Sequence, residues 1–273
     1  MERILVSVFN DEPSAFEGLT ALKELHRDGD ITLYASTVIA KAADGTPTVR
    51  QEADRGPIGT LVGVVGGSLV GLLGGPVGFA VGAYIGGIGG LMYDLFNAGV
   101  SVDFVDEVSA SLTPGTTAVV ADIDETWVTP VDTRLSALGA TIFRRQPGEV
   151  ADDQLSREAK IAADELDQLG AELRESTGEA KANVKARIER QREKVQALVA
   201  KLDKAIDQEK SEFDARMAKL NEQRKSAKER QQARIDARIA DLKAQHQARD
   251  AKLAEAKKLA KESLDLTREA IVL

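Results

Sequence analysis

Between Arg55 and Asp94 the chain carries no charged residue, and glycine returns every fourth position. Gly59, Gly63, Gly67, Gly71 and Gly75 form one ladder, and Gly78, Gly82, Gly86 and Gly90 form a second, with Gly74-Gly75-Pro76 between them. A four-residue spacing places the glycines of each ladder on nearly one stripe of a helix. Such a stripe, flanked by Val, Leu and Ile, lets another backbone approach closely, as in small-xxx-small helix packing. The pattern therefore constrains association before it says anything of chemistry. The two apolar stretches, about 58–73 and 76–93, make helices of roughly 24–27 Å, short against a hydrocarbon core of about 30 Å.

The flanks of this segment each read as a β-α-β unit. Ile4 to Phe9 is a compact apolar run, and Asn10-Asp11-Glu12-Pro13 starts a helix carrying Phe16, Leu19, Leu22 and Leu25 that stops at Gly29. Ile31 to Ile39 alternates as a second strand, and Asp44-Gly45 turns into an extended piece at Thr48-Val49. Beyond the glycines, Val102, Phe104, Val105 and Val108 predict a short helix ending before Pro114-Gly115. Thr116 to Ile123 is a β-branched strand, Thr129-Pro130 caps a helix with Val131, Leu135 and Leu138 that stops at Gly139, and Ala140 to Arg144 closes the set. Two such halves predict a split β-α-β, ferredoxin-like sheet. If they pair, both ends of the glycine segment emerge on one side, so the segment is expected to be a helical hairpin.

Together VSVFNDEPSAFEGL, the glycine insert, DFVDEVSASLTPGTTAVV and LGATIFRR resemble, in one order, a widespread bacterial family of predicted membrane proteins of unknown function. The resemblance covers about residues 2–146 and implies the fold and membrane association, with no catalytic residues to carry over. This chain departs from the family pattern by continuing more than a hundred residues past the last strand.

That continuation has no proline and only Gly170 and Gly178, and is rich in strong helix formers. As one helix, about 120 residues would reach roughly 180 Å. Its apolar residues repeat every eleven: Val184, Val195, Ile206, Met217 and Ile239 with Lys228 as a gap; Leu198, Leu220, Leu242, Leu253 and Leu264 interrupted by Glu209 and Gln231; and Leu202, Phe213 and Ile235. That period predicts a packed seam, nearly straight or slightly right-handed. Gly170 and Gly178 mark a bend or break. The expected organisation is α+β: 1–55 and 94–148 as the two halves, 56–93 as the zipper hairpin, and 149–273 as a coiled-coil-like rod.

Composition bounds the chemistry. With no cysteine, disulfides and thiolate sites are excluded. The net charge of −8 gathers in residues 1–149, with roughly ten more acids than bases, whereas 181–261 is basic. Phe213 is the only aromatic among those bases, which reads as a solvated helix face and argues against nucleic acid. Asp122, Asp124 and Glu125 sit at a strand end, where they could hold a cation but read more simply as solvated acids. His26 and His246 read as surface residues. Neither a Walker pattern nor a dinucleotide fingerprint is present.

No catalytic residue, cofactor or metal site is expected. The leading expectation is a non-enzymatic, self-associating scaffold on the cytoplasmic face of the inner membrane, held through the zipper hairpin and serving the envelope or stress. The alternatives are a cytoplasmic homo-oligomeric cage, ring or filament with the hairpins buried between subunits, and a small-molecule-sensing module. The start MERILVSVFNDE reads as a strand rather than a secretory signal, which makes the cytoplasm the default.

Overall fold

The computed structural model describes residues 2–51, 62–71, 73, 101–146 and 150–272. Five strands, β1 (Glu2–Phe9), β2 (Ile31–Lys41), β3 (Pro47–Gln51), β4 (Thr117–Glu125) and β5 (Thr141–Arg145), form one sheet in the order β3-β2-β4-β1-β5. Every neighbouring pair is antiparallel. Helix α1 (Glu12–Arg27) joins β1 to β2, α2 (Val102–Ser111) precedes β4, and α3 (Thr129–Ser136) joins β4 to β5. Helices α4 (Val150–Glu175), α5 (Gly178–Ser226) and α6 (Glu229–Val272) follow, so the architecture is α+β with long C-terminal helices.

Local chemistry places these boundaries. Asp11 caps α1 by accepting from the Ser14 amide at 2.8 Å, Pro13 occupies the first turn, and Gly29 leaves with φ +74°. At the start of α3 the expected cap is displaced: Val128 holds the N-cap position without a side-chain bond, and Thr129 is already helical. Strands β1 and β4 lie inside the sheet and are covered on both faces, hence their continuous rather than alternating apolar runs.

Each sheet face has its own core. On one, Leu5, Val119 and Ile123 meet Leu19, Leu22 and Leu25 of α1 and Val131 and Leu135 of α3. On the other, Ile4, Val6, Val8 and Val120 meet Phe104, Val105 and Val108 of α2, together with Val62, Val65, Leu69 and Val70. Residues 62–71 are helical and all buried, so Gly63, Gly67 and Gly71 lie in a helix covered by protein. A Cβ at Gly66 would come within 3.1 Å of Thr37 and 3.2 Å of Ile39, which is how closely this helix approaches the sheet. Gly59, Gly75, Gly78, Gly82, Gly86 and Gly90, with the expected hairpin loop, lie outside the described residues. Among the described residues no helix is long and apolar enough to cross a membrane.

The chain forms two compact units, Met1–Glu149 with Glu212–Leu242, and Val150–Ser211 with Lys243–Leu273. The C-terminal region is therefore not one rod. It breaks at Ser176-Thr177, where Gly178 takes φ +59°, and again at Ala227-Lys228. Within the second unit, contacts between α4 and α5 run antiparallel (Glu172 with Arg187, Glu165 with Gln191), as do those between α5 and α6 (Asp203 with Lys257, the Leu264 carbonyl with Arg192). Contacts between α4 and α6 rise together (Asp152 with Arg249, the Ala163 carbonyl with Ser263), so that pair is parallel. Leu166, Leu169, Val184, Ile188 and Val195 fill one core of this bundle, and Leu202 and Leu253 a second. Gly170 lies inside α4 and serves contact rather than bending: a Cβ there would stand 3.3 Å from the Thr267 methyl.

Candidate functional site

The first unit gathers its buried polar groups where the tip of the α5/α6 hairpin meets the sheet. The register between β2 and β4 slips at Leu33/Ala35, leaving Tyr34 as an extra residue. Such a bulge re-aims a side chain. Here Tyr34 packs with Leu220 of α5 and Ile235 of α6, and all three are buried. Arg216 lies against the same ring, its guanidinium carbon 4.5 Å from the centroid. The Arg216 Nη2 donates to Asp122 Oδ2 and to Glu2 Oε1, each at 2.8 Å.

The tip also serves the turn that follows α1, whose last carbonyls have no partner within the helix. Gln223 Nε2 donates to the carbonyls of His26 (2.5 Å) and Ile31 (2.7 Å), while its Oε1 accepts from the Thr32 hydroxyl at 2.8 Å. Arg238 donates to the carbonyls of Gly29 (3.2 Å) and Asp30 (2.6 Å) and to Thr32 Oγ1 (3.2 Å). Gln231 donates to the Asp28 carbonyl, and Arg234 pairs with the Asp30 carboxylate at 2.6 Å. Positive charge at a helix C-terminus is favoured by the helix dipole as well.

Electrostatics follow from this burial. Asp122 is fully buried, which pushes its carboxyl above the ordinary range, with Arg216 pulling it back and Glu2 adding to the rise. Burial disfavours the charge of Arg216, but Asp122 and Glu2 outweigh it and hold the guanidinium above its usual range. The Tyr34 phenol is raised, chiefly by burial and then by Asp124, and stays neutral. His26 is lowered, first by burial and then by Lys219 and Arg238; its Nδ1 accepts from the Leu33 amide at 3.2 Å.

These findings revise the reading of the acidic strand end as solvated. Asp122, Asp124 and Glu125 are 0 %, 6 % and 3 % exposed. The alternation of β4 separates them: Asp122 lies on the α5/α6 side, while Glu125 accepts from Arg144 at 2.7 Å beside Asp132 of α3. Among the described residues no group of three or more His, Asp or Glu stands together as a metal-holding cluster. His26 is half-buried in the last helical turn of α1 rather than on the surface, and His246 Nδ1 lies 2.7 Å from Glu209.

The seam residues divide between the two units. Val184, Val195, Leu198, Leu202, Ile206 and Leu253 fall in the second, and Phe213, Met217, Leu220, Ile235, Ile239 and Leu242 in the first. Each is buried or half-buried. The interruptions acquire roles: Lys228 sits at the break, Glu209 meets His246, and Gln231 reaches back to the Lys228 amide at 2.8 Å. Sequence reasoning missed Arg216, Gln223 and Arg238. The available signal is spacing, since Arg216, Leu220 and Gln223 fall at i, i+4 and i+7, as do Ile235, Arg238 and Leu242 at i, i+3 and i+7.

A second feature is an open groove of about 670 Å³ between α1 and α3. Pro13, Phe16, Thr20 and Leu138 line it, with the Glu24–Arg134 pair at 3.0 Å also in its wall.

A family model described as "Protein of unknown function (DUF1269)" matches residues 60–160. Over that stretch, from within the apolar segment to the start of α4, the chain is similar to an uncharacterised family. No curated protein and no solved structure matches the chain. Asp122 lies inside the matched residues, and Arg216, Gln223 and Arg238 lie beyond them.

Proposed function

We propose that this protein is a non-enzymatic, self-associating scaffold built on a ferredoxin-like domain. The order β2-β4-β1-β5, antiparallel throughout, with α1 and α3 on one face, supports the ferredoxin-like reading, β3 being an added strand on the β2 edge. The observation that carries the functional reading is the burial of residues 62–71 against the other face. An apolar glycine-rich helix of this kind needs a cover, and residues 62–71, with Gly63, Gly67 and Gly71, take protein as theirs. The rest of the charge-free segment is equally apolar in sequence and needs one too. A second copy of the chain offers a surface of the same chemistry, which favours the homo-oligomeric reading.

Membrane association through the zipper hairpin is the second reading, and the complete absence of charge from 56 to 93 favours it. On that reading the domain sits at the cytoplasmic face of the inner membrane, in support of the envelope or of stress responses. Cell fractionation followed by mass photometry with and without detergent separates the two. The first predicts soluble particles heavier than one chain without detergent. Recovery in the membrane fraction alone would transfer the proposal to the second reading, and a single-chain mass in both conditions would overturn self-association itself.

A further inference from the structure

Arg216 occupies a socket whose three sides come from three different strands. Glu2 is on β1, Tyr34 on the bulge of β2 and Asp122 on β4. Sheet pairing sets their positions: Ile4 and Ala35 are both partnered with Asp122, and Glu2 with Asp124. The socket is thus built by strand register, and Arg216 enters it from a helix far along the chain. It offers two carboxylate oxygens at 2.8 Å and an aromatic face at 4.5 Å.

Here one guanidinium nitrogen bridges the two carboxylates while the plane lies against the ring, which suits a planar, weakly hydrated cation better than a compact, strongly hydrated ammonium. The Asp122 side chain is fully buried, and its second oxygen, Oδ1, accepts no hydrogen bond. The socket therefore keeps an acceptor in reserve for a donor-rich ligand. Arg216 is itself 8 % exposed at the side chain, so a cation seated here is shielded from water and little screened by salt.

We propose that Glu2, Tyr34 and Asp122 form an alkylguanidinium-binding site filled in cis by Arg216, so that the α5/α6 tip is a latch which an arginine from outside displaces. Arginine is the selected side chain; lysine carries the charge without the plane that lies against the Tyr34 ring.

The test uses the full chain carrying Arg216→Ala, with ethylguanidinium as the probe. Ethylguanidinium at millimolar concentration raises the melting temperature of this variant by about 2–4 °C and saturates. Ethylammonium and sodium chloride at matched ionic strength do not, and adding Asp122→Asn abolishes the response. Equal shifts with both organic cations, or no shift, would overturn the proposal. Should Arg216→Ala fail to fold, hydrogen exchange on the unsubstituted protein decides. The guanidinium probe then speeds exchange across 216–235 relative to 184–202, and an unchanged ratio overturns the proposal.

Discussion

At the scale of single residues, the decisive pair is Asp122 with Arg216, a charge pair held in the interior of the first unit. Removing one partner leaves the other charge buried, whereas replacing both with apolar groups removes two desolvation costs at once. Asp122→Leu or Arg216→Met alone is therefore expected to cost about 3–5 kcal/mol, and the double substitution far less. Urea melts of the three variants check this; equal losses that simply add in the double variant would show that the pair does not act as a unit. His26 gives a pH signature. Its folded pKa lies below the ordinary value of about 6.5, so the folded state resists protonation. Stability is full above that value and falls as the pH drops through the window down to the lowered pKa. Asp122 is shifted upward and works in the opposite sense, so the signature is read by difference. From pH 7.5 to 5.5 the protein should lose more melting temperature than the His26→Gln variant does.

At the scale of elements, most of the described residues up to 146 were legible because local signals agree with the tertiary result. Asp11 and Pro13 start α1 and Gly29 ends it, and Asp44-Gly45 turns the chain from β2 into β3 with Asp44 accepting from Thr46 at 2.9 Å. What escaped were features with no local signature. The bulge at Tyr34 exists because the α5/α6 tip gives that side chain somewhere to go. The break at Ala227-Lys228 contains neither glycine nor proline and rests on Gln231 reaching back to the Lys228 amide. Gly18 was likewise silent in sequence. A Cβ there would lie 2.3 Å from the Phe9 ring, itself only 1 % exposed. Gly18→Ala should therefore destabilise, by roughly 1–3 kcal/mol, despite alanine's better helix propensity. A chemical melt gives the sign directly, and a gain in stability would mean that the ring has room to move.

At the scale of the whole molecule, the question is what covers the charge-free segment. Gly67 lies in the helix against the sheet, and Gly82 belongs to the second ladder. If Gly82 serves contacts between copies, Gly82→Leu should reduce the particle mass in mass photometry while leaving the melting temperature within a few degrees. Gly67→Leu, by contrast, should lower the melting temperature itself, since residues 62–71 are buried within the first unit. An unchanged mass for Gly82→Leu would count against the second ladder as an association surface. The division of the chain into units also had no counterpart in composition. Residues 150–273 are rich in helix formers throughout, yet Glu212–Leu242 belongs with the sheet and the remainder forms a bundle of its own.

The sequence by itself determined the strands and most helices of the described residues up to 146, the position and apolar character of the glycine segment, and the predominantly helical nature of the described residues from Val150 onward. Those follow from periodicity, capping residues and side-chain propensity, all of which act over a few residues. Only the tertiary structure decided that the C-terminal region doubles back, that its tip completes the sheet domain, and that Asp122 is an interior ion-pair partner rather than a solvated acid. The physical reason is distance along the chain. Whether a carboxylate is buried depends on what packs over it, and the Arg216 that meets Asp122 arrives from 94 residues away.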